Sequence, residues 1–335
     1  MARYDCGGSV RKVERMMWLV TGGAGYIGSH VVRRLVAAQH DVVVLDSLSS
    51  GIKERVPAGV PLVEANITDH DTLVTVLKDY KVTGVVNIAA QKSAPESVEL
   101  PLLYYDENVA GLISLLKAMS TCQVRQLVQS SSASVYGSAP GPVHTEHTLV
   151  EPLSPYAQTK LMAEHILRDM PDLSYLALRY FNPVGAEAPE LAEVGSSNVF
   201  ATLFKAIDAG HVFPLTGDDF DTRDGSGMRD YIHIADLADA HMRAVDYLLH
   251  HDDAHEVVNI GTGRGYTVFE LLETVRAVTG KPVPYEVVDR RPGDPDGAVA
   301  AVDRAEAMLG WTATRDLKEM VSSAWQMWRA QHDNA

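Results

Sequence analysis

Two cysteines in 335 residues, Cys6 and Cys122, leave no material for a disulfide framework or a cysteine-based zinc site. Long apolar runs are missing too: none approaches the ~18–20 residues needed to span a bilayer. The first 17 residues carry Arg3, Asp5, Arg11, Lys12, Glu14 and Arg15 and no apolar core, which is not the build of a secretory signal. Without secretion, the sequon Asn66-Ile67-Thr68 has no consequence. Positive charge is scarce: 29 Lys plus Arg against 44 Asp plus Glu leave −15 at pH 7. That balance argues against nucleic-acid and anionic-membrane partners. It leaves room for an anionic small ligand, because a few converging arginines outvote a global field. Internal repeats and low-complexity tracts are absent. A soluble, cytoplasmic α/β protein is expected, with chain enough for two domains or one domain and a cap.

What is present is an alternation. Met17-Trp18-Leu19-Val20 is strand-like, and Ile27 to Ala38 follows with helical periodicity. Val42-Val43-Val44-Leu45 is an unbroken apolar run, as expected of a strand buried on both faces. Val85 to Ile88, Leu127 to Gln129 and Tyr175 to Leu178 repeat the theme. Strands alternating with helices predict βαβ units and a doubly wound parallel sheet. After about residue 180 Gly and Pro become frequent, and loops lengthen around 183–198, 214–230 and 289–298, as in a smaller substrate-covering α/β region.

Gly22-Gly23-Ala24-Gly25-Tyr26-Ile27-Gly28 lies directly between the first strand and the first helix. Glycines there allow a tight turn and close approach of backbone to a pyrophosphate, which then meets the free N–H groups of a helix N-terminus. Asp46 ends the second strand, 18 residues past Gly28, where a carboxylate takes ribose hydroxyls. Ser47 follows it rather than Arg or Lys, which favours NAD over NADP. Residues 17–181 are therefore read as a Rossmann-type NAD-binding domain, with 229–260 returning to it, and 182–335 as mainly substrate-binding. Residues 1–16 read as a flexible leader, a tag remnant or an early start.

Ser130-Ser131-Ser132 sits at the carboxyl end of a buried strand, where α/β sheets place their chemistry. Tyr156 and Lys160 fall one turn apart on one helical face. A free phenol titrates near ~10, so it serves as a base at neutral pH only if shifted. The ammonium of Lys160 and a positive nicotinamide are expected to lower it, with Ser132 hydrogen-bonding the same substrate oxygen.

These residues resemble the extended short-chain dehydrogenase/reductase family, and within it the 4-epimerases of UDP-hexoses. The likeness runs from residue 17 to about 330 through Tyr104-Tyr105-Asp106-Glu107-Asn108, Ser132 to Gly137, Arg179 to Gly185, Arg229 to His233, Arg290 to Asp294 and Leu309-Gly310-Trp311. The resemblance implies an isomerase in which Tyr156 takes the proton from the sugar 4-hydroxyl while tightly bound NAD takes the C4 hydride and returns it to the other face. UDP-glucose and UDP-galactose would interconvert. It assigns Gly22, Gly25, Tyr26, Ile27, Gly28, Asp46, Asn66, Ile67, Ser130, Tyr156, Lys160 and Tyr180 to the cofactor, with Lys92 and Asn108 as its outer contacts. Ser132, Tyr156, Asn182, Asn198, Arg229, Arg291 and Asp294 fall to the UDP-sugar. Arginine suits a diphosphate because its planar fork binds oxygens bidentately. A homodimer through a four-helix bundle is also implied, with one face of Leu112–Met119 and Leu161–Leu167 as the candidate surface; plain core packing would give the same spacing.

The chain departs from the family pattern in places. Asn66 stands for the usual Asp near the adenine, and its carbonyl oxygen can still take the amino group. Ala89-Ala90-Gln91-Lys92 replaces the common Ala-Gly-x-Lys. Counting back from Trp311 puts Ala298 where a bulky tyrosine often gates the sugar, with Gly297 as the neighbouring candidate. A small gate implies that UDP-N-acetylglucosamine and its galacto epimer are also accepted. Sibling readings are a UDP-glucuronate 4-epimerase, a 4,6-dehydratase and a non-catalytic NAD sensor. Ala133 and Ser134 supply no acid–base pair for dehydration, and a sensor would typically lose Tyr156 or Lys160. His250-His251-Asp252-Asp253-Ala254-His255 reads as a solvated loop and His233 as structural; no metal is expected.

Overall fold

The computed structural model describes residues 16–194, 198–290 and 294–332, so the expected leader up to residue 15 and Arg291 lie outside the described residues. The first half runs β1 (Met17–Thr21), α1 (Tyr26–Ala37), β2 (Asp41–Asp46), β3 (Leu62–Glu64), α2 (His70–Asp79) and β4 (Gly84–Asn87). Helices α3 (Ala94–Glu99), α4 (Pro101–Tyr104) and α5 (Gly111–Thr121) follow, then β5 (Gln126–Ser132), β6 (Val143–His144), α6 (Pro155–Arg168) and β7 (Ser174–Tyr180). The second half begins with β8 (Asn182–Val184), α7 (Val199–Ala209), β9 (Phe213–Thr216), β10 (Met228–Arg229), β11 (Tyr231–His233) and α8 (Ile234–Leu248). It closes with β12 (His255–Ile260), β13 (Tyr266–Thr267), α9 (Val268–Thr279), β14 (Tyr285–Val288), β15 (Gly297–Ala300), α10 (Asp303–Leu309) and α11 (Leu317–His332).

Seven strands form one parallel sheet in the order β12-β7-β5-β4-β1-β2-β3. The apolar runs are unbroken because both faces are covered. Val42 and Val44 point into the layer of α1 and α8, while Val43 and Leu45 point to α2, α5 and α6. Each such side chain contributes roughly 1.5–3 kcal/mol relative to exposure. The chain runs outward from β1 to β2 and β3, then crosses to β4, so the carboxyl ends of β1 and β4 flank the switch point where ligands bind.

Within the segment 229–260 expected to return, β12 adds a further strand of the main sheet beside β7. The start of that segment does not pair with the main sheet; β11 lies parallel to β8 in a separate ribbon. A second small sheet, β13-β10-β15-β6, brings Arg229 opposite Ala298.

Two histidines anchor α8. His233 Nδ1 accepts the Ala235 N–H at 3.1 Å, and its Nε2 meets Ser323 Oγ at 2.9 Å. His241 is buried and donates from Nδ1 to Leu237 O at 2.9 Å. Burial pushes both rings down to about 4. An unfolded histidine takes a proton near ~6.5 and these do not, so stability rises with pH from about 4 to 6.5 and is lost as pH falls through that window. The expected slope is up to about 1.4 kcal/mol per pH unit for each ring. In urea unfolding at pH 6.5 and 5.0, the advantage of the parent over His241→Gln should shrink at the lower pH; a constant gap would refute the assignment.

Candidate active site

The site starts with a turn that only glycine allows. Gly22 has φ +70, and a Cβ there would stand 2.7 Å from Ala89 N. A Cβ on Gly28 would sit 2.1 Å from Gly22 O, so the first turn of α1 packs directly on the loop. Helix α1 opens at Gly25 with no side-chain cap and no acidic residue in its first turn, leaving N–H groups and the positive dipole end for an anion. Asp46 closes the other side. Its Oδ2 accepts the Ala24 N–H and its Oδ1 the Leu48 N–H, both at 2.9 Å. A backbone cradle without Cβ atoms, an uncapped helix start and a fixed carboxylate together fit a dinucleotide.

One groove collects Gly22, Gly25, Tyr26, Ile27, Gly28, Asp46, Asn66, Ile67, Lys92, Tyr156, Lys160 and Tyr180. Ser130 and Asn108 stand behind it. Ser130 Oγ hydrogen-bonds the Tyr180 hydroxyl. Asn108 is buried, accepts the Gln91 N–H at 2.8 Å and donates to Gln91 O and Thr159 Oγ1 at 3.0 Å, which fixes the loop bearing Lys92. Asn66, expected near the adenine, is held at the groove by neighbouring residues. Its carbonyl oxygen accepts from the Thr68 N–H and hydroxyl at 2.9 Å, and its amide donates to both oxygens of Glu107. Glu107 itself lines the groove.

The residues expected to carry the chemistry lie where β5 and α6 meet. Ser154 caps α6 by accepting the Ala157 N–H, and Pro155 takes the first turn, where its missing N–H costs nothing. Tyr156 packs edge-on against Tyr104 at 6.4 Å between ring centroids. Lys160 is 5% exposed; its Nζ donates to Ser130 O at 3.1 Å and stands 5.8 Å from the Tyr156 ring centroid. Burial lowers this lysine to about 8. Burial raises the Tyr156 phenol, and a hydrogen bond with Ser132 counters the rise. The positive nicotinamide expected to lower it belongs to the bound cofactor.

A buried ion pair joins this helix to the sheet. Arg179 of β7 reaches both oxygens of Glu164 on α6, at 2.9 and 2.6 Å, and Ser131 Oγ donates to the same carboxylate at 2.5 Å. Both partners are about 6% exposed.

A separate cavity is lined by Asn182, Asn198, Arg229 and Asp294 together with Phe213, Phe220 and Tyr231. Arg229 lies 3.5 Å from Asp294 and donates to Met228 O and Pro295 O. Asp230, fully buried, accepts N–H groups of Thr262, Gly263 and Ala300 and so locks the corner that carries Arg229. Ala298 is partly buried against the cluster of Val135, Tyr136, Leu161 and Phe181. A Cβ on Gly297 would instead meet Met228 and Pro142, on the opposite face of β15. Arg55, Glu107 and Glu193 line the cofactor groove without having been singled out in the sequence. Glu107 had a signal, lying inside the Tyr-Tyr-Asp-Glu-Asn run; the other two had none. Among the described residues, no His/Cys/Asp/Glu group could hold a metal ion, and no helix is long and apolar enough to cross a membrane.

The chain belongs to the NAD dependent epimerase/dehydratase family, whose pattern it matches over residues 18–261. Among individual proteins, it is 41% identical to the UDP-glucose 4-epimerase of Lactobacillus helveticus over 95% of this chain and 98% of that one. It is 38% identical to the UDP-glucose 4-epimerase of Bacillus subtilis, again over 95% of this chain and 98% of the relative. The solved UDP-glucose-4-epimerase of Stenotrophomonas maltophila, with bound NAD and formylated UDP-arabinopyranose, superimposes with TM-score 0.91 at 38% identity over 96% of this chain and all of that one.

Proposed function

We propose that Tyr156, Ser132 and Lys160 carry the chemistry of an NAD-dependent isomerase that interconverts UDP-glucose and UDP-galactose. The observation that carries the proposal is the meeting, at the carboxyl edge of one parallel sheet, of a dinucleotide groove with a phenol bonded to Ser132 and flanked by a buried lysine. Identity of 37–42% to curated UDP-glucose 4-epimerases supports the same reading. NAD held in the groove would supply acceptance of the C4 hydride and its return to the same carbon. The protein's part is to move one proton and hold one oxygen. Tyr156 Oη takes the 4-hydroxyl proton and returns it after the sugar has turned over, while Ser132 Oγ holds that oxygen in place. Lys160, fixed to Ser130 O, supplies positive charge beneath the phenol and favours its ionised form once a substrate proton is to be taken. Arg229, Asn182, Asn198 and Asp294 would grip the UDP while the hexose turns in the space beside Ala298. Ala133 and Ser134 flank Ser132 without a carboxyl, so elimination of water has no proton shuttle.

The small side chain at 298, partly buried against the cluster of Phe181, also favours acceptance of N-acetylated UDP-hexoses. A homodimer belongs to this proposal: Leu100, Leu102, Leu103, Ile113 and Met162 are exposed on and around α4, α5 and α6, an apolar face suited to a second copy. A cytoplasmic location is part of the reading as well.

The test is NMR of the purified protein with UDP-galactose and, separately, UDP-N-acetylgalactosamine, with no NAD added. Conversion of both to the gluco forms is expected. Turnover of UDP-galactose alone would overturn the open gate, and turnover of neither, even with added NAD, would overturn the function.

A further inference from the structure

Residues 185–194 leave the substrate half and lie back across the cofactor half, fastened at several points. Tyr26 Oη donates to Gly185 O at 2.6 Å, and Arg34 pairs with Glu187 at 2.7 Å. Arg33 reaches Glu190 at 3.4 Å on the open surface. Arg55 is unlike these. It is 2% exposed, yet its guanidinium is spent on main-chain carbonyls, from Nε to Glu190 O at 3.0 Å and from Nη2 to Ala192 O at 2.5 Å. Burying a guanidinium is costly, and a forked donor set is well suited to gripping two carbonyls of one short segment. The segment so gripped presents Glu193 and Val194 to the groove that holds Gly22, Asp46 and Lys160. From the opposite wall Lys92 reaches Glu193 at 2.5 Å, and Asn198, on the substrate side, donates to the same carboxylate at 2.9 Å. The groove is thus crossed by a strap with an anchor on each wall.

We infer that Arg55 is a positioning residue that holds residues 185–194 across the cofactor groove, and that this strap keeps the dinucleotide bound between turnovers. The inference rests on the NAD reading above. A cofactor that ends each cycle in the form in which it began needs no exit, and a strap fixed from a buried site opposes its escape.

The experiment compares the NAD-loaded parent with Arg55→Met and Arg55→Lys. Release of NAD on dilution is followed by chromatography of the nucleotide left on the protein, without any sugar present. Amide hydrogen exchange is read in parallel over 185–194. Arg55→Met should lose NAD at least tenfold faster, with faster exchange confined to the strap, and Arg55→Lys should fall between. Release at the parental rate would overturn the inference. So would faster release with unchanged exchange over 185–194, which would make Arg55 a direct contact. Should Arg55→Met not fold, Glu193→Gln, which weakens the Lys92 anchor at the surface, must still speed both release and exchange. A parent that holds no NAD at all would reject the cofactor reading itself, whereas Arg55-independent release from a loaded protein rejects the strap alone.

Discussion

Replacing Tyr156 by Phe should lower epimerisation by about 10³-fold or more while leaving NAD content and thermal midpoint near those of the parent. A positioned acid–base group contributes typically 10²–10⁴-fold, and here one oxygen both takes and returns the proton. Phenylalanine keeps the ring against Tyr104 and removes only the hydroxyl that bonds Ser132. The other groups at the site do not replace it: Lys160 is committed to Ser130 O, and Ser132 has no base behind it among its recorded contacts. Rates from the same NMR assay, with bound nucleotide counted after denaturation, decide the matter. A variant within about tenfold of the parent would show that the proton travels elsewhere.

Glu164→Ala should cost stability on the order of 3–5 kcal/mol, since it leaves the Arg179 guanidinium buried with no counter-charge. That is a large share of the 5–15 kcal/mol that typically holds a domain folded. The damage is placed at the junction of α6 with β5 and β7, so kcat should fall as well. Tyr156 and Lys160 ride on that helix, and Ser131, bonded to Glu164, adjoins Ser132. A double variant, Glu164→Ala with Arg179→Met, should recover much of the loss, because the charge is then gone rather than orphaned. Urea unfolding of the two variants measures both effects. A loss below about 1 kcal/mol in the single variant would mean that the pair is dispensable.

How far each of these features could be read in advance follows the range of the interaction. The glycine turn, Asp46 and the Tyr156–Lys160 spacing are legible because each is decided within one strand–turn–helix unit. Glu164 and Arg179 were two charges among many in the sequence; only the packing of α6 on the sheet makes them a bidentate pair. Residues 229–260 were read as one returning segment; its first strand, Tyr231 to His233, is three apolar-leaning residues with no record of their partner, and β8 won it. Asn66 was matched to the adenine by its place in the chain; that its amide also meets Glu107, 41 residues on, is visible only once the chain is packed.

The sequence by itself determined the class of fold, the glycine turn, the one-turn spacing of Tyr156 and Lys160 and the family, since periodicity and local spacing are properties of the chain before it folds. Tertiary structure alone decided the burial of the Tyr156 phenol, the packing of Ala298 against the cluster of Phe181, and the grip of Arg55 on Ala192, 137 residues away. Burial and long-range hydrogen bonds set these features, and neither exists until distant segments are packed together.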